Sequence, residues 1–116
     1  MITIMPADKA FLESVSAPQG VDAMVLRDGD GPVFGYALFT VKGDTAELIA
    51  VQTEEPMMTE GLIRSVINTA DCRGAVSVVC SVEALYPVLK RLEFTLQNGV
   101  YIVDVHHFLY GECKCQ

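Results

Sequence analysis

The chain has 116 residues, 51% of them hydrophobic, and its 15 acidic against eight basic side chains give a formal charge of −7. That length suits one domain able to bury roughly two-thirds of its unfolded surface, and the apolar content excludes wholesale disorder. The acidity excludes sequence-independent nucleic-acid binding, which runs on neutralising phosphates with Lys and Arg, and it disfavours anionic membranes.

Met1-Ile2-Thr3-Ile4-Met5-Pro6 offers no basic n-region and no long apolar h-region, so no signal peptide is expected. No apolar run approaches the ~20 residues that cross a bilayer. A cytoplasmic protein with neither nucleic acid nor membrane as partner is the simplest expectation.

Residues 2–5 read as a short apolar strand stopped by Pro6. Residues 8–15 can form a brief amphipathic helix started by Asp8, with Phe11, Leu12 and Val15 on one face. Residues 23–27 form the next strand, and Asp28-Gly29-Asp30-Gly31-Pro32 signals a hairpin, because Asp-Gly accepts positive φ. Residues 33–41 are rich in β-branched and aromatic side chains, with Gly35 at a bulge or a close approach. Lys42-Gly43-Asp44 turns the chain into an apolar strand over 46–51, completing an antiparallel meander.

An acidic loop over 52–59 then leads into a helix over 60–72, with Thr59 as its N-cap and Leu62, Ile63, Val66, Ile67 and Ala70 on its apolar face. Gly74 closes it in the left-handed region. The strand over 75–80 follows by a crossover, so it pairs in parallel with the strand before the helix, in a right-handed connection. Residues 82–92 read as a second helix with Pro87 near its first turn. Residues 94–97 and 100–109 form a closing hairpin turned at Asn98-Gly99, which would place His106 and His107 on opposite faces of its second strand.

Four cysteines stand at 72, 80, 113 and 115. Cys72 and Cys80 end a helix and a strand and are expected reduced and largely buried. Cys113 and Cys115 lie in a polar tail, where two thiols alone fall short of the four ligands of a structural zinc site, so no metal is assigned; a metal or redox role with His106 or His107 is the weaker alternative.

Four phrases in order carry a family likeness: AELIAV (46–51), GLIRSVINTADCRG (61–74), ALYPVLKRLEF (84–94) and YIVDVHHFL (101–109). Together they resemble the GNAT superfamily of acetyl-CoA-dependent N-acetyltransferases, over most of the chain. They look like that family's fourth strand, the helix after its pyrophosphate loop, its A-x-x-L-Y-x-K-x-G-F helix and its closing strand. The resemblance implies one domain over 1–116 with an α+β fold, a mostly antiparallel central sheet of about six to seven strands with helices on its faces. A V-shaped opening between strands four and five, with a β-bulge near 49–51, is part of that expectation.

It also implies a site. Backbone groups of Ile49, Ala50 and Val51 would hold the pantetheine arm of acetyl-CoA, and Thr59, Glu60 and Gly61 would receive the pyrophosphate at a helix N-terminus. Glu47 is the candidate general base, and Tyr86 the candidate acid for the departing thiolate. The likeness departs from the family where chemistry is expected. Aligned on Leu62, Ile63 and Ala70, the loop pattern Arg/Gln-x-x-Gly-x-Gly/Ala meets Glu54, Met57 and Thr59. Slid by two residues, it gains Gly61 at the last glycine position, but the first glycine is still absent and Glu55 keeps the loop acidic. Leu89 stands at the family's tyrosine, with Tyr86 one helical turn earlier. The implied function is an acetyl-CoA-dependent N-acetyltransferase with a degenerate pyrophosphate loop, acting on a small-molecule or peptide amine. The alternative is a non-catalytic domain of the same fold, used for ligand sensing or protein association. A homodimer stays open.

Overall fold

Residues 1–111 are described by a computed structural model, in which seven strands form one mixed sheet. In chain order the elements are β1 (Ile2–Pro6), α1 (Lys9–Ser14), β2 (Asp22–Asp28), β3 (Val33–Lys42), β4 (Thr45–Thr53), α2 (Met58–Cys72) and β5 (Ser77–Cys80). A single 3₁₀ turn (Glu83–Leu85), α3 (Tyr86–Arg91), β6 (Thr95–Gln97), β7 (Val100–Asp104) and α4 (Val105–Tyr110) complete them. The sheet order is β1-β2-β3-β4-β5-β7-β6, antiparallel throughout except for the β4–β5 pair. That one parallel pair follows from the crossover through α2, as the spacing of the apolar runs requires.

Period-two alternation puts Leu26, Phe39, Leu48, Val78 and Cys80 on one sheet face, all buried. Leu62, Ile63, Val66, Ile67 and Ala70 of α2 pack onto this face and are fully buried, which is the expected stripe at its expected spacing. Leu85, Val88, Leu89 and Leu92 join the same core from the 3₁₀ turn and α3. On the other face α1 sets the Phe11 ring edge-on to Tyr36, with centroids 5.3 Å apart. Asp8 caps α1 as expected, its carboxylate accepting the Phe11 N–H at 2.9 Å. No helix among the described residues is long and apolar enough to cross a membrane.

Gly35 serves both roles foreseen for it. A Cβ there would meet Leu26 Cδ1 at 2.7 Å and Thr53 at 3.0 Å, and the β2–β3 register slips beside it, between Leu26 and Arg27.

Three expectations need correction. Residues 82–92 are not one helix but a 3₁₀ turn followed by α3, with Pro87 in the first turn of α3. The closing strand stops at Asp104, whose carboxylate accepts the His107 N–H at 2.7 Å and so caps α4. His106 and His107 are therefore neighbours on an exposed helix rather than on opposite strand faces. Thr59 is not the N-cap of α2; Met57 holds that position with no side-chain bond.

The helix ends make a prediction. α2 closes on Gly74 at φ 89°, with the Ala75 N–H reaching the Ala70 carbonyl at 2.9 Å. α3 closes in the same way, the Phe94 N–H reaching Leu89 at 3.0 Å, but the left-handed residue is Glu93 at φ 69°. A side chain in that region costs roughly 1–2 kcal/mol, against roughly 0.5–1 kcal/mol for the extra chain entropy of glycine. Glu93→Gly should raise stability by about 0.5 kcal/mol, read as a higher urea midpoint at unchanged slope. A lower midpoint would refute the strain assignment.

Candidate functional site

The site begins where β4 leaves β5. The two strands pair only at Thr45↔Ser77, Ala46↔Val78 and Glu47↔Val79. Beyond Glu47, β4 still pairs with β3, but its register slips: Leu48 faces Phe39 and Ala50 faces Leu38, leaving Ile49 as an extra residue. An inserted residue bends its strand and increases its twist. From Leu48 onward β4 is no longer paired with β5, while Cys80 stays paired with Tyr101 of β7. A wedge results, floored by the last β4–β5 pair and edged by the backbone of Ile49, Ala50 and Val51. All three are half-buried. This is the opening and the bulge that the family resemblance implied.

Glu47 stands at the floor of the wedge, exposed, between Thr40 of β3 and Val79 of β5. The next residue of β5 is Cys80, fully buried. Burial pushes its thiol above the ordinary 9.0, a backbone hydrogen bond at Val82 pulls it down, and the Glu47 carboxylate adds an upward push. The group is a thiol, not a thiolate, at neutral pH. Sequence reasoning did not associate Cys80 with Glu47. The signal was present, because the parallel crossover sets Val79 opposite Glu47.

Thr59, Glu60 and Gly61 lie in the first turn of α2, which starts at Met58. The loop before them is less open than a phosphate cradle. Thr53 Oγ1 accepts the Glu55 N–H at 3.0 Å, the Glu55 carbonyl accepts the Met58 N–H at 2.8 Å, and the Pro56 carbonyl accepts the Thr59 N–H at 3.2 Å. Three amides in or beside the loop are thus engaged, and Pro56 has none to give. Glu60 is also committed: its carboxylate accepts Arg91 Nε at 2.8 Å. Gly61 lies against β1, where a Cβ would approach Ile4 Cδ1 at 3.4 Å. Glu54, Glu55 and Met57 are exposed, Met57 to 83%.

Tyr86 begins α3 with its ring on Tyr101, centroids 4.6 Å apart, and its hydroxyl donating to the Gly99 carbonyl at 3.4 Å. Since Tyr101 pairs with Cys80, this stacking brings Tyr86 to the β5 side of the wedge. Leu89 is fully buried in the core. At the opposite end of α2, the Tyr110 hydroxyl donates to Asp71 at 3.1 Å, and this bond holds its proton above the usual range. Cys72 is exposed here, contrary to the burial expected of it. Cys113 and Cys115 lie outside the described residues, and among the described residues no group of three or more His, Cys, Asp or Glu side chains is arranged to hold a metal ion.

No family model matches this sequence, and no curated protein matches it. Solved structures do. The acetyltransferase of Bacillus subtilis in complex with CoA superposes with a TM-score of 0.69 at 12% identity, over 90% of this chain and 99% of that one. A GNAT family acetyltransferase from Elizabethkingia anophelis with acetyl-CoA bound gives 0.68 at 11% identity, over 89% and 97%. The ribosomal-protein-S18-alanine N-acetyltransferase from Escherichia coli gives 0.71 at 13%, over 90% and 94%. Identities this low speak to architecture alone. Strand order, the single parallel pair and the wedge at Ile49 agree with it: the chain has the GNAT-like acyl-CoA N-acyltransferase fold.

Proposed function

We propose that the protein is an acetyl-CoA-dependent N-acetyltransferase that takes the pantetheine arm into the β4–β5 wedge. The observation that carries this reading is the wedge itself. The bulge at Ile49 frees one edge of β4 from strand pairing, so peptide groups of Ile49 to Val51 can bond an amide-bearing arm as another strand would. Solved structures of the same fold hold CoA and acetyl-CoA.

In the reaction, an acceptor amine attacks the thioester carbonyl, forming the C–N bond. Glu47 takes the proton the amine loses, and collapse of the tetrahedral centre breaks the C–S bond. Tyr86, turning its hydroxyl from the Gly99 carbonyl, returns a proton to the departing thiolate. The negative charge of the chain favours a cationic amine as acceptor.

A second reading rests on the engaged loop amides and the exposed Met57: a domain of this fold kept for ligand sensing or association, without catalysis. Calorimetric titration with acetyl-CoA, followed by acetyl transfer to a panel of polyamines and peptides, separates the two. Saturable binding with transfer supports the enzyme; binding without transfer supports the sensor; no binding at millimolar acetyl-CoA removes the enzyme.

A further inference from the structure

A hollow of about 330 Å³ lies where α2, α3 and α4 meet, and its lining brings together Arg64, Arg91 and His107. In a chain of net charge −7 with four arginines, two of them converge on this one depression. The other two are occupied elsewhere: Arg73 pairs with Asp22, and Arg27 points to the Gly31 carbonyl.

Both arginines are held, but by parts that leave hydrogen-bond donors over. The Arg64 guanidinium carbon lies over the Phe108 ring, 5.3 Å from the centroid, a contact that takes up no N–H donor. Among the described residues it has no carboxylate partner. Arg91 gives Nε to Glu60 at 2.8 Å, which fixes the fork and leaves the terminal amino groups. His107 has its backbone N–H tied to Asp104, so α4 presents its exposed imidazole from a capped turn. One carboxylate, Glu93, also lines the hollow, and it is the residue held at φ 69°.

From this we infer that the hollow between α2, α3 and α4 is a binding site for a phosphomonoester dianion, with Arg64, Arg91 and His107 as its three donors. A tetrahedral dianion accepts from several directions at once, whereas a carboxylate offers two oxygens in one plane. Donors from three separate helices fit the former. The monoester can come as free phosphate or as the 3′-phosphate of CoA, and the inference does not depend on the acetyltransferase reading.

The test is an NMR titration with inorganic phosphate at constant ionic strength, chloride being exchanged for phosphate, and following Arg64 and Arg91 Nε–H and His107 ring signals. A second arm compares CoA with dephospho-CoA by calorimetry. Arg64→Gln serves both arms, since Arg64 is exposed and its loss leaves the core intact. Saturable shifts confined to these three residues are expected, weakened about tenfold by Arg64→Gln and strengthened by Glu93→Gln. If CoA exceeds dephospho-CoA in the native protein but not in Arg64→Gln, the source is CoA; if only inorganic phosphate responds, the source is free phosphate. Shifts no larger than chloride produces, together with CoA and dephospho-CoA indistinguishable in both proteins, overturn the site. If that outcome is found and dephospho-CoA still binds both proteins, the hollow falls while the wedge reading stands.

Discussion

Phe39→Ala should cost about 3–5 kcal/mol, the range for emptying a fully buried aromatic position. Phe39 is fully buried on β3, opposite Leu48 and one residue from the slip that frees Ile49. It belongs to the cluster that Leu62, Ile63, Val66 and Ile67 of α2 close from above. The Arg73 guanidinium stands 5.6 Å from its ring centroid, a contact worth roughly 0.5–1 kcal/mol because the arginine itself is partly exposed. A domain of this size is stable by about 5–15 kcal/mol, so the loss takes a large share of the total. Urea unfolding should show it, with a fall in melting temperature of about 15 °C or more. Phe39→Leu should recover most of the deficit. Leu96→Ala on the edge strand β6, where the side chain is 58% exposed, should change stability by less than about 0.5 kcal/mol. A Phe39→Ala cost near that of Leu96→Ala would mean that the bulge is not anchored by this packing.

The parts of the fold that were legible are those where a period and a stop signal agree. The α2 stripe was readable because its five apolar positions recur at helical spacing and Gly74 ends the run. The wedge followed from a likeness of phrase order, not from any residue at 49, because nothing local marks Ile49 as the inserted residue. Where two local signals competed, the weaker-looking one won. Tyr101 and Val103 alternate as the buried face of a strand, and Val105 continues that period of two. Yet Asp104 can satisfy the His107 amide, and that cap converts the next six residues to helix. At the start of α2, Thr59 has the right chemistry for a cap, but Thr53 and Glu55 organise the turn four residues earlier and start the helix at Met58. The charged hollow was not legible at all. Arg64, Arg91 and His107 are far apart in sequence and meet only because α4 exists.

Replacing Glu54 by arginine should raise affinity for acetyl-CoA about tenfold at low salt, if the pyrophosphate lies where β4 hands over to α2. Glu54 is exposed, so the exchange leaves the core untouched. Its effect is Coulombic: one unit pair at ~5 Å in water is worth roughly 0.8 kcal/mol, and moving from −1 to +1 beside a doubly charged group multiplies that several times before salt reduces it. About 1–2 kcal/mol survives such screening near a surface, which is the tenfold gain. The gain should shrink as salt rises past ~0.5 M, where the Debye length falls below the separation. The engaged amides of Glu55, Met58 and Thr59 make this side chain more decisive than it would be in an open cradle, because fewer backbone donors remain to hold the anion. Dephospho-CoA retains the pyrophosphate and lacks only the 3′-phosphate, so the Glu54→Arg gain must persist with it, whereas the Arg64→Gln loss must not. Equal affinity of native and Glu54→Arg proteins at low salt would place the pyrophosphate away from this loop, leaving the wedge to bind the pantetheine arm alone.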